Sequence, residues 1–508
     1  MSQYVPLFST EQARAIDRAA QASLDVSEYE LMQRAGAAAW RAVLQHWPRA
    51  QRIGIACGPG NNGGDGSVLA RLARASGRDV VVLQLPDGAP RNATARQAFA
   101  GWKADGGAVG VFDGSLPAVD LWVDALFGIG LAREPEEATR RLIEAINASG
   151  VDVFALDVPS GVDADTGNVP GVAIRAARTI TFIVNKRGLH TGAALEHVGD
   201  LQIDALGVAK STFAGHARAA RVVRTSALAK WLPQRHRNAN KGDYGHVLCV
   251  GGDHGTAGAI ALTSEAALRS GAGLVSVATR ADHVVMLLAR RPELMVRGIE
   301  FGINGTRASE GRTSEEMGGF QALCERASVL AIGPGLGRGE WGRTLLAAAL
   351  HAGKPLVLDA DALNLLAESP KTKPLRDAIL TPHPGEAARL LGITTEEVQA
   401  DRYAAVQELA ARYGCCVVLK GAGTVIAAPD AKPVVIAAGN PGMASGGMGD
   451  VLTGVIAAMR TQHLLAFDAA VCGALLHALA GDAAANKGGE RGLLASDLLW
   501  QLRRRANP

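Results

Sequence analysis

The chain predicts an α/β protein built as two parallel-sheet domains, and three observations carry that prediction. Short apolar, β-branched runs alternate with longer helical patterns from end to end, as in a parallel sheet covered on both faces. Glycine is in excess, 61 of 508 residues or about 12% against about 7% in an average protein. Those glycines cluster directly after expected strands, at 58–66, 128–130, 251–258, 333–339, 421–423 and 439–449. Loops at the carboxyl ends of parallel strands are where open α/β sheets bind ligands, so the excess is not low complexity. Finally, the rhythm lapses over 210–237, where basic residues scatter around a proline. This places a boundary near residue 220 and domains at 1–218 and 225–508.

Taken in order, helices are expected at 10–21 and 28–44, the first with Ser9 or Thr10 available as a cap. Strands follow at 52–57, 79–85, 120–125, 153–156 and 179–183, with helices at 67–76, 92–105 and 136–149 between them. In the second half, strands are expected at 246–250, 274–278, 329–332, 356–358 and 416–419. Helices fall at 257–270, 341–352, 395–413, 451–460, 467–484 and 496–504, and the polar, Gly-rich stretch 301–317 reads as an exposed loop.

Composition excludes several classes. Lys plus Arg number 52 and Asp plus Glu 49, a net charge of +3, so a large basic nucleic-acid surface is not expected. Hydrophobic residues make up 48%, enough for full cores. Six cysteines form no CxxC pair and read as buried small hydrophobes in a reducing compartment. The N-terminus has no signal-peptide pattern, and the longest apolar stretches, such as 469–480, fall short of the ~18 residues of a membrane span. A cytoplasmic chain without membrane or nucleic-acid partners, and a homo-oligomer, is expected.

GPGNNGGDG at 58–66 follows a strand and leads into a helix. Glycines there let backbone N–H groups approach a phosphate or ribose at a helix N-terminus. The motif matches neither the dinucleotide nor the P-loop fingerprint. A tight turn with Asx caps is the plainer reading, but two Asn and one Asp among five glycines are more polar groups than a turn needs. Asp124, Asp157 and Ser160 stand at neighbouring strand ends, with Lys186 beyond a further strand. Each Asp alone could be a helix cap; together with an Asn they offer oxygen ligands, suited to a hard cation.

GPGNNGGDG, VDALFGIGL, LDVPSGVDADTG and the stretch 186–189 resemble the NAD(P)H-hydrate epimerase family over about residues 10–215. The resemblance implies a Rossmann-like three-layer sandwich that interconverts the R and S epimers of hydrated NADH and NADPH, with a bound potassium ion. It implies Asn62, Asp124 and Ser160 as potassium ligands. It implies substrate contacts from Asn61, Asn62, Gly63, Gly64 and Asp65, from Gly128, Ile129, Gly130, Leu131, Ala132, Arg133 and Glu134, and from Asp157. Ile129 departs from the small polar residue common in relatives. Asp157 and Lys186 are the acid/base candidates, because ring opening and reclosure at the hydrated carbon needs proton transfers.

A second constellation fills the other half. The run 440–450, NPGMASGGMGD, enters a helix, so backbone amides of 446–449 can form an anion hole while Asp450 stands where a base could take a hydroxyl proton. A glycine-rich helix entry with Asp as cap is the alternative. KGAGT at 420–424 and HPGE at 383–386 also follow strands, as do GPGLG at 333–337 and DADALN at 359–364. His383 by itself reads more readily as a structural histidine than as a ligand contact. Together these motifs resemble the ribokinase-like superfamily, and within it the ADP- or ATP-dependent NAD(P)H-hydrate dehydratases, over about residues 225–505. That resemblance implies nucleotide binding by Lys420, Gly421, Ala422, Gly423, Thr424 and Gly449, and hydrate contacts from Ala259, Gly335, His383 and Asp450. It also implies magnesium on the nucleotide phosphates and ADP as donor. The chemistry implied is phosphorylation of the ring hydroxyl, then phosphate elimination that restores NADH or NADPH. The competing reading is a ribokinase-like small-molecule kinase fused to a non-catalytic Rossmann-like ligand-binding module.

Overall fold

The computed structural model describes residues 3–130, 133–300, 310–369 and 374–508, with backbone alone for 310–316. The chain divides into two compact units, Pro6–Arg221, and Val222–Pro508 together with residues 3–5. The strands are β1 Tyr4–Leu7, β2 Arg52–Cys57, β3 Asp79–Gln84, β4 Val109–Val111, β5 Leu121–Ala125, β6 Val153–Leu156, β7 Arg178–Phe182 and β8 Asp200–Asp204. They continue as β9 Ala220–Val223, β10 His246–Val250, β11 Leu274–Thr279, β12 Met295–Gly298, β13 Val329–Ile332 and β14 Leu356–Leu358. The last are β15 Ala378–Leu380, β16 Cys416–Leu419, β17 Thr424–Ala428 and β18 Ala431–Ile436.

In the first unit the sheet runs β4-β3-β2-β5-β6-β7-β8, parallel throughout. Alternate side chains feed two cores. Ile53, Ile55, Val123 and Phe154 pack with Leu69 and Ala70 on one face. Ala56, Trp122 and Ala155 pack with Leu142 and Ile146 on the other. Gly54 is required there, because a Cβ on it would lie 2.6 Å from the Trp122 ring. The register pairs Cys57 with Ala125 and Asp124 with Ala155, so the loops after β2, β5 and β6 emerge side by side.

The second sheet runs β1-β9-β18-β17-β16-β15-β14-β13-β10-β11-β12. Its strands from β10 to β16 are parallel, and β16–β17–β18 form an antiparallel extension. One core joins Val247, Val275 and Val357 to the helices Ala257–Arg269, Met448–Thr461 and Ala466–Gly488. Gly454 lets two of these helices touch, since a Cβ there would fall 2.0 Å from Thr263 O.

Four expectations change. The helix after β2 is Asn61–Ala75, beginning inside the glycine motif instead of at residue 67. Its glycines sit where the backbone meets the strands, Gly63 against Gly58 O and Gly66 against Ala125 Cβ and Cys57 Sγ. The helix expected over 395–413 is two helices, broken at Asp401, whose carboxylate accepts from Ala404 N at 2.9 Å and so starts the second. Of the loop expected at 301–317, residues 301–309 lie outside the described residues, and Glu310–Arg326 is a helix. Its Gly319 lies against the Arg297 guanidinium. Helix Ala466–Gly488 is long and apolar enough to cross a membrane, contrary to the estimate from 469–480, and 67% of its apolar window is buried in this core.

Candidate functional site

In the first unit, a cavity of about 660 Å3 opens above the strand ends. The helix Thr10–Leu24 forms one wall, fixed at its start by a reciprocal Ser9–Gln12 capping box and by Thr10, which donates to Asp165 at 2.9 and 2.6 Å. The helix Asn61–Ala75 and the loops after β5 and β6 complete it, with Asn61, Asn62, Asp65, Gly128, Ile129, Gly130 and Asp157 among the lining residues. Gly63 and Gly64 lie beneath, buried in the helix. Arg133 is exposed and pairs with Glu136 at 3.1 Å. Glu134 lies within reach of Gly171. Leu131 and Ala132 are outside the described residues.

Asp124 is fully buried at the end of β5. It accepts from Ser160 Oγ at 2.6 Å, Ser160 N at 2.7 Å and Leu126 N at 3.2 Å. Burial raises its carboxyl to about 6 against the pull of those bonds. Beside it, Asn62 donates Nδ2 to Phe127 O at 2.9 Å, while its buried Oδ1 has no partner. A buried carbonyl oxygen without a donor is costly unless a cation meets it. Asn62, Asp124 and Ser160 thus form an oxygen-only set that fits a hard cation such as potassium.

Asp157 has φ +64°, in the left-handed region uncommon for a non-glycine residue, a strain typical of functional turns. Lys186 follows β7 and is anchored by the Phe8–Lys186 bridge. With 4% of its side chain exposed, it meets Asp157 Oδ1 at 2.5 Å. Asp17, absent from the expected site, lines the same cavity.

In the second unit, Asp450 lies in the first turn of helix Met448–Thr461, entered through Gly447 at φ +88°. Burial, then the charge of Asp359, pushes the Asp450 carboxyl up to about 7. Lys420, at the end of β16, reaches Asp359 Oδ1 at 2.6 Å and Glu386 Oε2 at 3.6 Å. Burial opposes its charge, but Asp359 and Glu386 outweigh it and hold the ammonium above its ordinary pKa. Thr453 Oγ1 donates to Asp359 Oδ2 at 2.8 Å. Gly449 abuts this pair: a Cβ there would stand 3.3 Å from Lys420 Nζ. Lys420, Gly449 and Asp450 therefore share one place.

The loop Gly421, Ala422, Gly423, Thr424 lies over the buried Arg402, whose guanidinium donates to Leu419 O at 3.2 Å and Lys420 O at 3.1 Å. His383 caps helix Pro384–Leu391, its Nδ1 accepting from Gly385 N at 3.0 Å and Glu386 N at 3.3 Å. The structural role is therefore real, and half of the side chain remains exposed. Gly335, at φ +59°, accepts from Thr256 Oγ1 at 2.9 Å, and Ala259 is half-buried in the first turn of helix Ala257–Arg269. Arg402 and Thr453 carry no motif; each is a polar residue in a predominantly apolar helical pattern. A larger cavity, about 950 Å3, lies near the amino ends of β10 and β11 and contains none of these residues.

Two sites at carboxyl strand ends, one oxygen-rich with a buried lysine–aspartate pair and one with a glycine-entered helix and a raised carboxyl, define a two-site α/β enzyme. Known proteins make that class specific. A family model described as YjeF-related protein N-terminus matches residues 28–188, and one described as NAD(P)H-hydrate dehydratase matches 247–504. A bifunctional NAD(P)H-hydrate repair enzyme of Coxiella burnetii is 46% identical, with 99% of each chain covered. Its Escherichia coli counterpart is 45% identical over 97% of this chain and 92% of its own. An ADP/ATP-dependent NAD(P)H-hydrate dehydratase of Bacillus subtilis, solved with ATP and Mg2+, is 30% identical at a TM-score of 0.50, covering 56% of this chain and 98% of its own. The chain belongs to the bifunctional NAD(P)H-hydrate repair enzymes, with an epimerase domain and an ADP/ATP-dependent dehydratase domain.

Proposed function

We propose that the first unit interconverts the R and S hydrates of NADH and NADPH, and that the second dehydrates the S hydrate with ADP as phosphoryl donor. The observation that carries this reading is Asp450, a carboxyl at about 7 beside Lys420, at a helix entry made of glycine amides. A base of that strength takes the ring hydroxyl proton as the oxygen attacks the terminal phosphoryl group. Lys420 and the amides of 446–449 face the developing phosphoryl charge. Phosphate then leaves with the electron pair of the carbon–oxygen bond while the adjacent ring carbon gives up a proton, so the ring double bond re-forms; hydroxide would leave far less readily.

Ala259, Gly335 and His383 hold the hydrate, and the loop 420–424 with Gly449 holds the nucleotide. Among the described residues no group of three His, Cys, Asp or Glu could cage a metal. Magnesium would sit on the nucleotide phosphates and neutralise their charge. In the first unit, Asn62, Asp124 and Ser160 hold potassium, a fixed charge that orients the residues around the substrate. Asn61, Asn62, Asp65, Gly128, Ile129, Gly130 and Asp157 contact the hydrate, and Asp157 with Lys186 forms the charged pair at the reacting carbon.

The six cysteines are buried and free, in keeping with a reducing, cytoplasmic setting. A homo-oligomer is supported by apolar exposure at Val285, Met286, Leu288 and Met295, and light scattering decides it. The donor is decided by supplying S hydrate with ADP or with ATP: faster recovery of reduced-nicotinamide absorbance with ADP supports the reading, and faster recovery with ATP contradicts it.

A further inference from the structure

Lys186 and Asp157 leave the epimerase cavity one group short. The Lys186 ammonium is directed at three internal acceptors: Asp157 Oδ1, Thr181 Oγ1 at 2.9 Å and Phe182 O at 3.0 Å. No hydrogen of that ammonium remains for a ligand. Asp157 Oδ1 also accepts from Thr181 Oγ1 and Phe182 N. Its Oδ2 lies beside Gly128 and is the acceptor left for substrate. The pair therefore provides a base, while epimerisation through ring opening needs a donor as well.

We propose that Asp17 is that donor, a catalytic residue supplied by helix Thr10–Leu24. Its half-buried side chain lines the cavity with Asp65, Asp157 and Lys186. It projects from the stripe of Ala13, Ile16 and Ala20, which buries the helix against the sheet. Asp17, Asp65 and Asp157 share the cavity with Lys186, and Arg14, Arg18, Glu28 and Arg91 line it as well. Carboxyls clustered in one cavity raise one another, which favours a proton shared among them. Burial is the largest cause raising Asp17; Lys186 pulls it down, Asp157 pushes it up, and Arg18 and Arg14 pull it down, leaving it at about 6. Burial, then Asp157 and Asp17, hold the Asp65 carboxyl well above the carboxylate range. A group near 6 can both give and regain a proton at neutral pH.

The step balances. Asp157 takes the hydroxyl proton, the carbon–oxygen bond becomes a carbonyl, and the carbon–nitrogen bond breaks with its electron pair moving to the ring nitrogen. Asp17 delivers its proton to that nitrogen. Rotation about the adjoining carbon–carbon bond presents the other carbonyl face, and reclosure reverses both transfers.

The inference rests on the epimerase reading, and the full chain tests the two separately. Asp17→Asn and Asp17→Glu chains are given R hydrate with ADP, and in parallel S hydrate with ADP. Asp17→Asn should lose ~10²-fold or more of R-hydrate turnover, in kcat rather than KM, with the S-hydrate rate unchanged. Asp17→Glu should keep a tenth or more of the rate and shift the alkaline limb of the pH profile. An Asn variant within threefold of the parent, a loss confined to KM, or a Glu variant as inactive as the Asn variant with unchanged melting would overturn the proposal. A parent chain that does not turn over R hydrate would instead overturn the epimerase reading.

Discussion

Asp450 shows how one carboxyl ties activity to stability. As a base it works only when ionised, so S-hydrate turnover should rise as pH increases through about 7. The linkage to folding has the opposite sign. The folded chain binds this proton more tightly than the unfolded chain, whose carboxyl titrates near 3.8, so stability declines as pH rises from about 4 to 7. Asp450→Asn should therefore lower dehydration by ~10²–10⁴-fold. At pH 8 it should also raise the melting midpoint, by about 2–4 °C if the gain is near 1 kcal/mol. Rates and calorimetry on one preparation check both signs. The Asn62 Oδ1 orphan gives a second prediction. Exchange of potassium for tetramethylammonium should slow R-hydrate turnover and leave the S-hydrate rate nearly unchanged; equal slowing of both would separate the orphan from a potassium site.

Among the elements, the turn from β2 into helix Asn61–Ala75 is tightly constrained. A Cβ on Gly63 would lie 1.9 Å from Gly58 O, whereas one on Gly60 meets nothing within 4 Å. Gly63→Ala should abolish R-hydrate turnover and cost about 2 kcal/mol or more, while Gly60→Ala should change stability by under about 0.5 kcal/mol. Chemical denaturation compares them. The same turn marks what sequence could and could not reveal. The central strands were legible because continuous apolar runs such as Val153–Leu156 are buried on both faces. β8, with sequence DLQID, and the three-residue β4 are edge strands that lack that run. The start at Asn61 was hidden because glycines disfavour helix locally, and only close packing on the strands explains them. Of the motif-borne residues in the first unit, Asn61, Asn62, Asp65, Gly128, Ile129, Gly130 and Asp157 were readable as a group that lines one cavity; Gly63 and Gly64 lie beneath it, and Leu131 and Ala132 are outside the described residues. Asp17 and Arg402 were not readable, since a single charged residue on a buried helix stripe gains meaning only from what faces it.

At the scale of the whole molecule, the two units carry two activities in sequence on one substrate pool. Lys186 variants should fail on R hydrate alone, while Asp450 variants should fail on both epimers, because every repaired molecule leaves through the dehydratase site. The central claim is tested most directly by giving the intact chain purified R hydrate or purified S hydrate, each with and without ADP, and following reduced-nicotinamide absorbance. Recovery from both epimers that requires the nucleotide, with the R-hydrate signal lost in Lys186→Ala and both lost in Asp450→Asn, is the predicted result. A stable phosphorylated product in place of recovered dinucleotide, or recovery from S hydrate only, would contradict the account.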